Sequence, residues 1–148
     1  MQASAWDSVA EAYAERVEPF TSSFASALLD LVGDIEGKRL LDVAAGSGAV
    51  AVIAAVDHGA SVTATDFSES MLRVLDERPS WRFERTAGDG RVLETVVADG
   101  QALPAQWSDT YDVAISNFGV IFFPDPGAGL KEMLRCIKPG GQACHITR

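Results

Sequence analysis

The sequence predicts an α/β fold in which a doubly wound parallel sheet follows two helices. Three observations carry that prediction. From Lys38 onward, short apolar runs alternate with helix-period segments, and the first run ends in a glycine-rich turn. At 148 residues, 47% hydrophobic and 22% charged, the chain has the size and profile of one ordered domain, 1–148, with helices over 1–36 and the sheet over 37–148.

The elements follow in order. Trp6, Val9, Ala10, Tyr13 and Val17 recur at helical spacing behind Ser4, a candidate cap, until Pro19 interrupts them. Phe24, Leu28, Leu29 and Leu31 mark a second helix, closed by Gly33 and Gly37. Arg39 to Val43 is a compact apolar strand, and Ala49 to Val56 a buried helix stopped by Gly59. Ser61 to Thr65, rich in Val and Thr, is the second strand, and Ser68 can cap a helix running to Glu77. Residues 78–91 hold Pro79, Gly88, Gly90 and several charges, and read as a surface loop without function. Val92 to Ala98, Tyr111 to Ser116 and Gln142 to Thr147 are strands three to five. Gly127 to Ile137 is helical, and Pro139-Gly140-Gly141 turns the chain. Strand and helix alternating at this spacing imply right-handed crossovers with helices on both faces.

Composition narrows the function classes. Twelve Lys and Arg against twenty-one Asp and Glu give a net charge of −9, which disfavours attraction to nucleic acid or anionic lipid. Cys136 and Cys144 are too few for a disulfide framework and lack the clustered partners of a metal site, so a reducing cytoplasmic setting is expected. No segment has the pattern of a signal peptide or a membrane span.

In such a sheet ligands bind beyond the carboxyl ends of the strands. Asp42, Asp66 and Asp99 stand at the ends of the first three, and Ala44-Ala45-Gly46-Ser47-Gly48 follows Asp42. Gly46 and Gly48 permit a tight turn and close approach to a ligand, and the helix after Gly48 offers N–H groups to an anion. Asp66, twenty residues after Gly46, is placed to accept from ribose hydroxyls. Gly46-x-Gly48-x-x-Ala51 also satisfies the dinucleotide fingerprint, which keeps a nicotinamide-dependent reductase as an alternative. Asp42 can face an amino group, and Asp99-Gly100 suits an adenine edge, with the carboxylate accepting from the amine and the peptide N–H donating to a ring nitrogen. S-adenosylmethionine combines ammonium, carboxylate, ribose and adenine.

Five segments in order resemble the class I S-adenosylmethionine-dependent methyltransferases. They are LLDVAAGSG (Leu40–Gly48), VTATDFSESML (Val62–Leu72), ADGQALP (Ala98–Pro104), YDVAISNF (Tyr111–Phe118) and LRCIKPGG (Leu134–Gly141). The similarity is to the "type 11" subgroup of small-molecule methyltransferases, which includes enzymes of quinone biosynthesis. The resemblance implies a Rossmann-like sheet of order 3-2-1-4-5 and in-line methyl transfer to a small-molecule acceptor, with S-adenosylhomocysteine as product. It places Gly46 and Gly48 beneath the methionine moiety, and Asp42 on its amino group directly or through water. Asp66 would bind the ribose, Phe67 and Met71 would flank the adenine, and Asp99 and Gly100 would read its edge. The Asn117 carbonyl would meet the methionine amine, and Tyr13 resembles a residue that closes over the cofactor. Ala44 departs from the pattern, since many members have glycine there. No metal and no catalytic base are implied.

The family usually continues past the fifth strand with strands 6 and 7, and this sequence stops at Arg148. A truncated domain would leave its fifth strand as an open edge, so self-association there into a homo-oligomer is expected. A non-catalytic module that binds S-adenosylmethionine or S-adenosylhomocysteine, or acts through assembly, is the alternative to an enzyme. His58 at a helix end and His145 in a strand read as structural, Cys136 and Cys144 as small buried hydrophobes, and Phe118, Phe122 and Phe123 as core or acceptor-pocket residues.

Overall fold

The computed structural model describes residues 2–147. Its first elements are α1 (Ala3–Asp7), α2 (Ala10–Arg16) and α3 (Glu18–Val32). The two predicted leading helices are thus three. The first breaks at Ser8 and Val9, and Val9 leaves helical geometry at φ −120° and ψ 3°. Pro19 interrupts nothing. It lies in the first turn of α3, where its missing N–H has no intrahelical partner to lose. Ser4 lies inside α1 rather than capping it.

Five parallel strands, β1 (Arg39–Val43), β2 (Ser61–Asp66), β3 (Leu93–Val97), β4 (Tyr111–Asn117) and β5 (Ile137–Ile146), form one sheet of order β3-β2-β1-β4-β5. The predicted strand order is therefore observed. β5 starts earlier than Gln142 because its pairing with β4 slips between Tyr111 and Val113, which absorbs Pro139 to Gly141 as an irregularity within the strand.

Helices α4 (Ala49–Val56), α5 (Glu69–Glu77), α6 (Pro79–Thr86) and α7 (Pro126–Cys136) complete the chain. Ser68 caps α5 as expected, accepting from the Met71 N–H at 3.2 Å, and Asp125 caps α7 through Ala128 at 3.1 Å. The segment read as a loop, 78–91, contains α6. Pro79 opens that helix and Trp81, 0% exposed, anchors it against the core. Arg91 folds the following turn back, pairing with Glu84 and Asp89 and donating to the Ala55 carbonyl at 2.6 Å.

The sheet separates two apolar layers. Leu40, Val62 and Ile115 meet α3 and α4 on one face, while Leu41, Val43 and Ala114 meet Met133 and Cys136 of α7 on the other. The alternation of side chains along each strand produces this division. It leaves the carboxyl ends of β1, β2 and β4 on a common rim. Among the described residues no helix is long and apolar enough to cross a membrane.

Candidate functional site

A cavity of about 170 Å³ opens at that rim. Nine of the expected residues line it: Tyr13, Ala44, Gly46, Asp66, Phe67, Met71, Asp99, Gly100 and Asn117. Asp42 and Gly48 do not.

Asp66 ends β2 and ties the two central turns together. One carboxylate oxygen accepts from the Gly46 N–H at 2.9 Å and the other from the Ser68 N–H at 2.9 Å. Burial raises its pKa while these bonds oppose the rise. Each carboxylate oxygen can accept more than one hydrogen bond, and Asp66 lines the cavity.

The turn after β1 is held in left-handed backbone at Ala44 (φ 56°), Gly46 (φ 57°) and Gly48 (φ 96°). Ala44 keeps its methyl there because Gly119 faces it, where an added Cβ would lie 2.4 Å from that of Ala44. The turn spends N–H groups internally. Ala45 donates to the Thr65 carbonyl at 2.9 Å, Gly48 to the Ala45 carbonyl at 3.0 Å, and Gly46 to Asp66.

Asp42 is 1% exposed and accepts from the Ala51 N–H at 3.1 Å, so its carboxyl sits at the start of α4 behind the turn. Burial pushes its pKa up to about 8, the Ala51 bond opposing and Asp66 adding to the rise. Gly48 packs its bare Cα on Leu75, whose Cδ1 would lie 2.3 Å from an added Cβ.

Asp42 lines a second cavity of about 30 Å³, which shares Tyr13, Ala44, Gly46 and Asn117 with the first. Asn117 stands between the two. Its Nδ2 donates to the Thr21 carbonyl at 3.0 Å, and its buried Oδ1 has no partner among the described residues. A free acceptor there suits an ammonium group. On the opposite side Asp99 organises its own turn, accepting from the Gln101 N–H at 2.9 Å. Gly100 is packed so that an added Cβ would meet the Phe123 ring at 2.5 Å and the Val43 side chain at 2.9 Å.

Aromatic side chains close the cavity. Trp6 lies edge-on to Tyr13 at 5.9 Å and to Phe122 at 5.2 Å, and Phe118, at φ 63°, meets Phe24 at 5.2 Å. Phe118, Phe122 and Phe123 all line the cavity. Trp6, Gln101 and Gly119 also line it, without having been expected there. Trp6 on α1 and Tyr13 on α2 meet across the break at Ser8 and Val9, and their seven-residue spacing was the one sequence signal that linked them. His145 lies exposed on β5, and Cys136 and Cys144 are unpaired. Among the described residues no group of three His, Cys, Asp or Glu side chains is placed to hold a metal ion. The donor set fits an adenosyl-bearing amino acid: carboxylates for hydroxyls and an amine, an orphaned acceptor for an ammonium, and apolar walls for a flat base.

Residues 21–147 match the model of the ubiE/COQ5 methyltransferase family. A demethylmenaquinone methyltransferase from Clavibacter sepedonicus is 42% identical over 111 residues, covering 75% of this chain and 41% of that protein. An arsenic(III) S-adenosylmethionine methyltransferase from Chlamydomonas reinhardtii superposes with a TM-score of 0.65 at 29% identity, over 76% of this chain and 39% of that one. A Haemonchus contortus phosphoethanolamine N-methyltransferase in complex with S-adenosylhomocysteine superposes with a TM-score of 0.67 at 26% identity, over 83% of this chain and 27% of that one. The chain spans less than half the length of the curated relatives it matches, 41% and 44% for two of them.

Proposed function

We propose that this chain, which belongs to the ubiE/COQ5 methyltransferase family, binds S-adenosylmethionine and transfers a methyl group to a small-molecule acceptor by in-line displacement. The observation that carries the reading is Asp66, whose carboxylate bridges the turns after β1 and β2 at the rim of an aromatic-lined cavity. When bound, S-adenosylmethionine supplies a methyl group on a cationic sulfur.

The protein's part is to bind and to orient. Asp66 accepts from the ribose hydroxyls, Phe67 and Met71 flank the adenine, and Asp99 with Gly100 meets its edge. Asn117 Oδ1 takes the ammonium, and Gly46 lets the backbone approach the amino-acid chain. Asp42 and Gly48 act from behind, holding α4 and the turn in place. Trp6 and Tyr13 cover the site and exclude water. Alignment of two reactants in this way supplies much of the rate of a displacement reaction, and no catalytic base is assigned.

Trp6, Phe118 and Phe122 favour a flat, apolar acceptor. The Clavibacter relative is named for demethylmenaquinone, and a demethylated quinone in its reduced, nucleophilic quinol form is the first candidate. Incubation with methyl-tritiated S-adenosylmethionine and a panel of quinols, phenols and amines tests this. Label in the organic extract with a quinol supports the reading, and no transfer to any acceptor together with no cofactor binding overturns it. The exposed edge of β5 favours a second reading, a non-catalytic module that self-associates through this strand in a cytoplasmic setting. Tight binding of S-adenosylhomocysteine without turnover, with a dimer in light scattering, distinguishes it.

A further inference from the structure

Glu18, the first residue of α3, is buried although its side chain is polar and ionisable. One of its carboxylate oxygens accepts from the Ser47 hydroxyl and the other from the Arg78 guanidinium. Arg78 also donates to the Ser47 carbonyl at 3.1 Å, which closes a ring of three residues. The ring joins three segments far apart in sequence: the start of α3, the turn after β1, and the junction of α5 and α6. The pair is buried on the Glu18 side and partly exposed at Arg78, and such an ion pair adds little net stability, so registry of these segments is the effect to look for.

Ser47 sits between Gly46, which lines the cavity, and Gly48, which packs on Leu75. Ala44, Gly46 and Gly48 all adopt left-handed backbone, a conformation that persists when its surroundings fix it. Asp66 holds the turn from the β2 side through the Gly46 N–H, and Glu18 holds it from the helical side through Ser47. Glu18 also lines the smaller cavity with Tyr13 and Asn117.

We propose that Glu18 is a positioning residue for the amino-acid end of the adenosyl ligand: clamped by Arg78, it fixes Ser47 and thereby the shape of the turn at 44–48. The proposal rests on the cofactor reading above. It gives a task to Arg78, in a segment whose sequence suggested none. It also makes the start of α3, and through Tyr13 the cover of the cavity, register on the same turn. The adenosine half would rest against Asp66, Asp99 and Phe67, of which Asp66 alone is tied to this turn, through the Gly46 N–H, so the clamp acts chiefly on the amino-acid end.

Calorimetry with S-adenosylhomocysteine and with adenosine alone, on wild type and on Ser47→Ala, Glu18→Ala, Glu18→Gln and the Ser47→Ala/Glu18→Ala double variant, tests the proposal. Each alanine variant is expected to weaken S-adenosylhomocysteine about ten- to hundredfold while adenosine changes by about twofold or less. The double variant is expected to lose no more than the worse single one, and Glu18→Gln, which keeps an acceptor, to recover most of the affinity. Equal loss for both nucleosides, or additive losses in the double variant, overturns the positioning role. Amide hydrogen exchange of residues 44–48 reads the clamp without any ligand. Faster exchange in Glu18→Ala confined to that turn supports the proposal, and unchanged exchange overturns it. If wild type binds neither nucleoside, the cofactor reading fails, and the exchange measurement still decides whether Glu18 shapes the turn.

Discussion

Replacing Gly48 by alanine asks whether this glycine serves the ligand or the core. The backbone there stands at φ 96°, where an L side chain costs about 1–2 kcal/mol. The new methyl would lie 2.3 Å from Leu75 Cδ1 and 3.0 Å from both Cγ and Cδ2. Leu75 is 0% exposed and packed among α4, β2 and Trp81, so the clash is relieved by strain in the core, about 1–3 kcal/mol for an overpacked methylene. The sum is about 2–5 kcal/mol, which for a domain of this length lowers Tm by about 10 °C. Urea and thermal melts measure it. Leu75→Ala in the Gly48→Ala background removes the overlap and leaves the backbone cost, so the double variant is expected to be more stable than the two single losses predict, by about 1–3 kcal/mol. Position 48 lies outside the cavity, so the loss of stability in Gly48→Ala should be the primary effect, and the folded fraction should still bind the adenosyl ligand, with any loss of affinity coming through the turn alone. A variant with unchanged Tm and abolished binding would refute the reasoning.

Trp81→Ala should cost about 3–5 kcal/mol in urea melts, whereas Trp81→Phe should cost far less, because its buried indole N–H has no partner among the described residues. Asp42 is held protonated by burial, with a folded pKa of about 8 above an unfolded value near 3.8, so the folded state binds more protons between these limits. Stability should therefore fall as pH rises from about 4 to about 8, and Asp42→Asn, which keeps an acceptor for Ala51, should flatten that part of the Tm–pH curve. A wild-type curve that rises through this window, or one that Asn leaves unaltered, would contradict the burial argument. Gly119→Ala should destabilise through Ala44, and Ala44→Gly should recover part of the loss, the remainder coming from Ser116 Oγ at 2.8 Å.

Much of the sheet was legible because β1 and β4 hold short apolar stretches and β2 is rich in Val, Thr and Ala, residue types that suit strands buried along most of their length. Ser68 announced α5 through its own chemistry. Helix α6 was hidden because Trp81 is its one buried residue among polar and charged neighbours. The break at Ser8 and Val9 has no glycine or proline to mark it, and Pro19 carries opposite meanings inside a helix and in its first turn. In the site, the residue types after each strand pointed to the rim, and Asp66, Asp99 and Asn117 stand there. Which side of the turn each residue faces was not legible. Spacing alone does not tell that Asp42 looks back to α4 and that Gly48 abuts Leu75. Glu18, Ser47 and Arg78 meet across 29, 31 and 60 residues, a separation that leaves no local pattern to find.

Titration of wild type and Asp66→Ala with S-adenosylhomocysteine, with NAD as competitor, bears most directly on the central claim that this rim was shaped for an adenosylated amino acid. The account predicts saturable one-site binding that NAD does not displace, weakened by about tenfold or more in the variant. No uptake by wild type at roughly millimolar ligand, or equal uptake by both proteins, would contradict it.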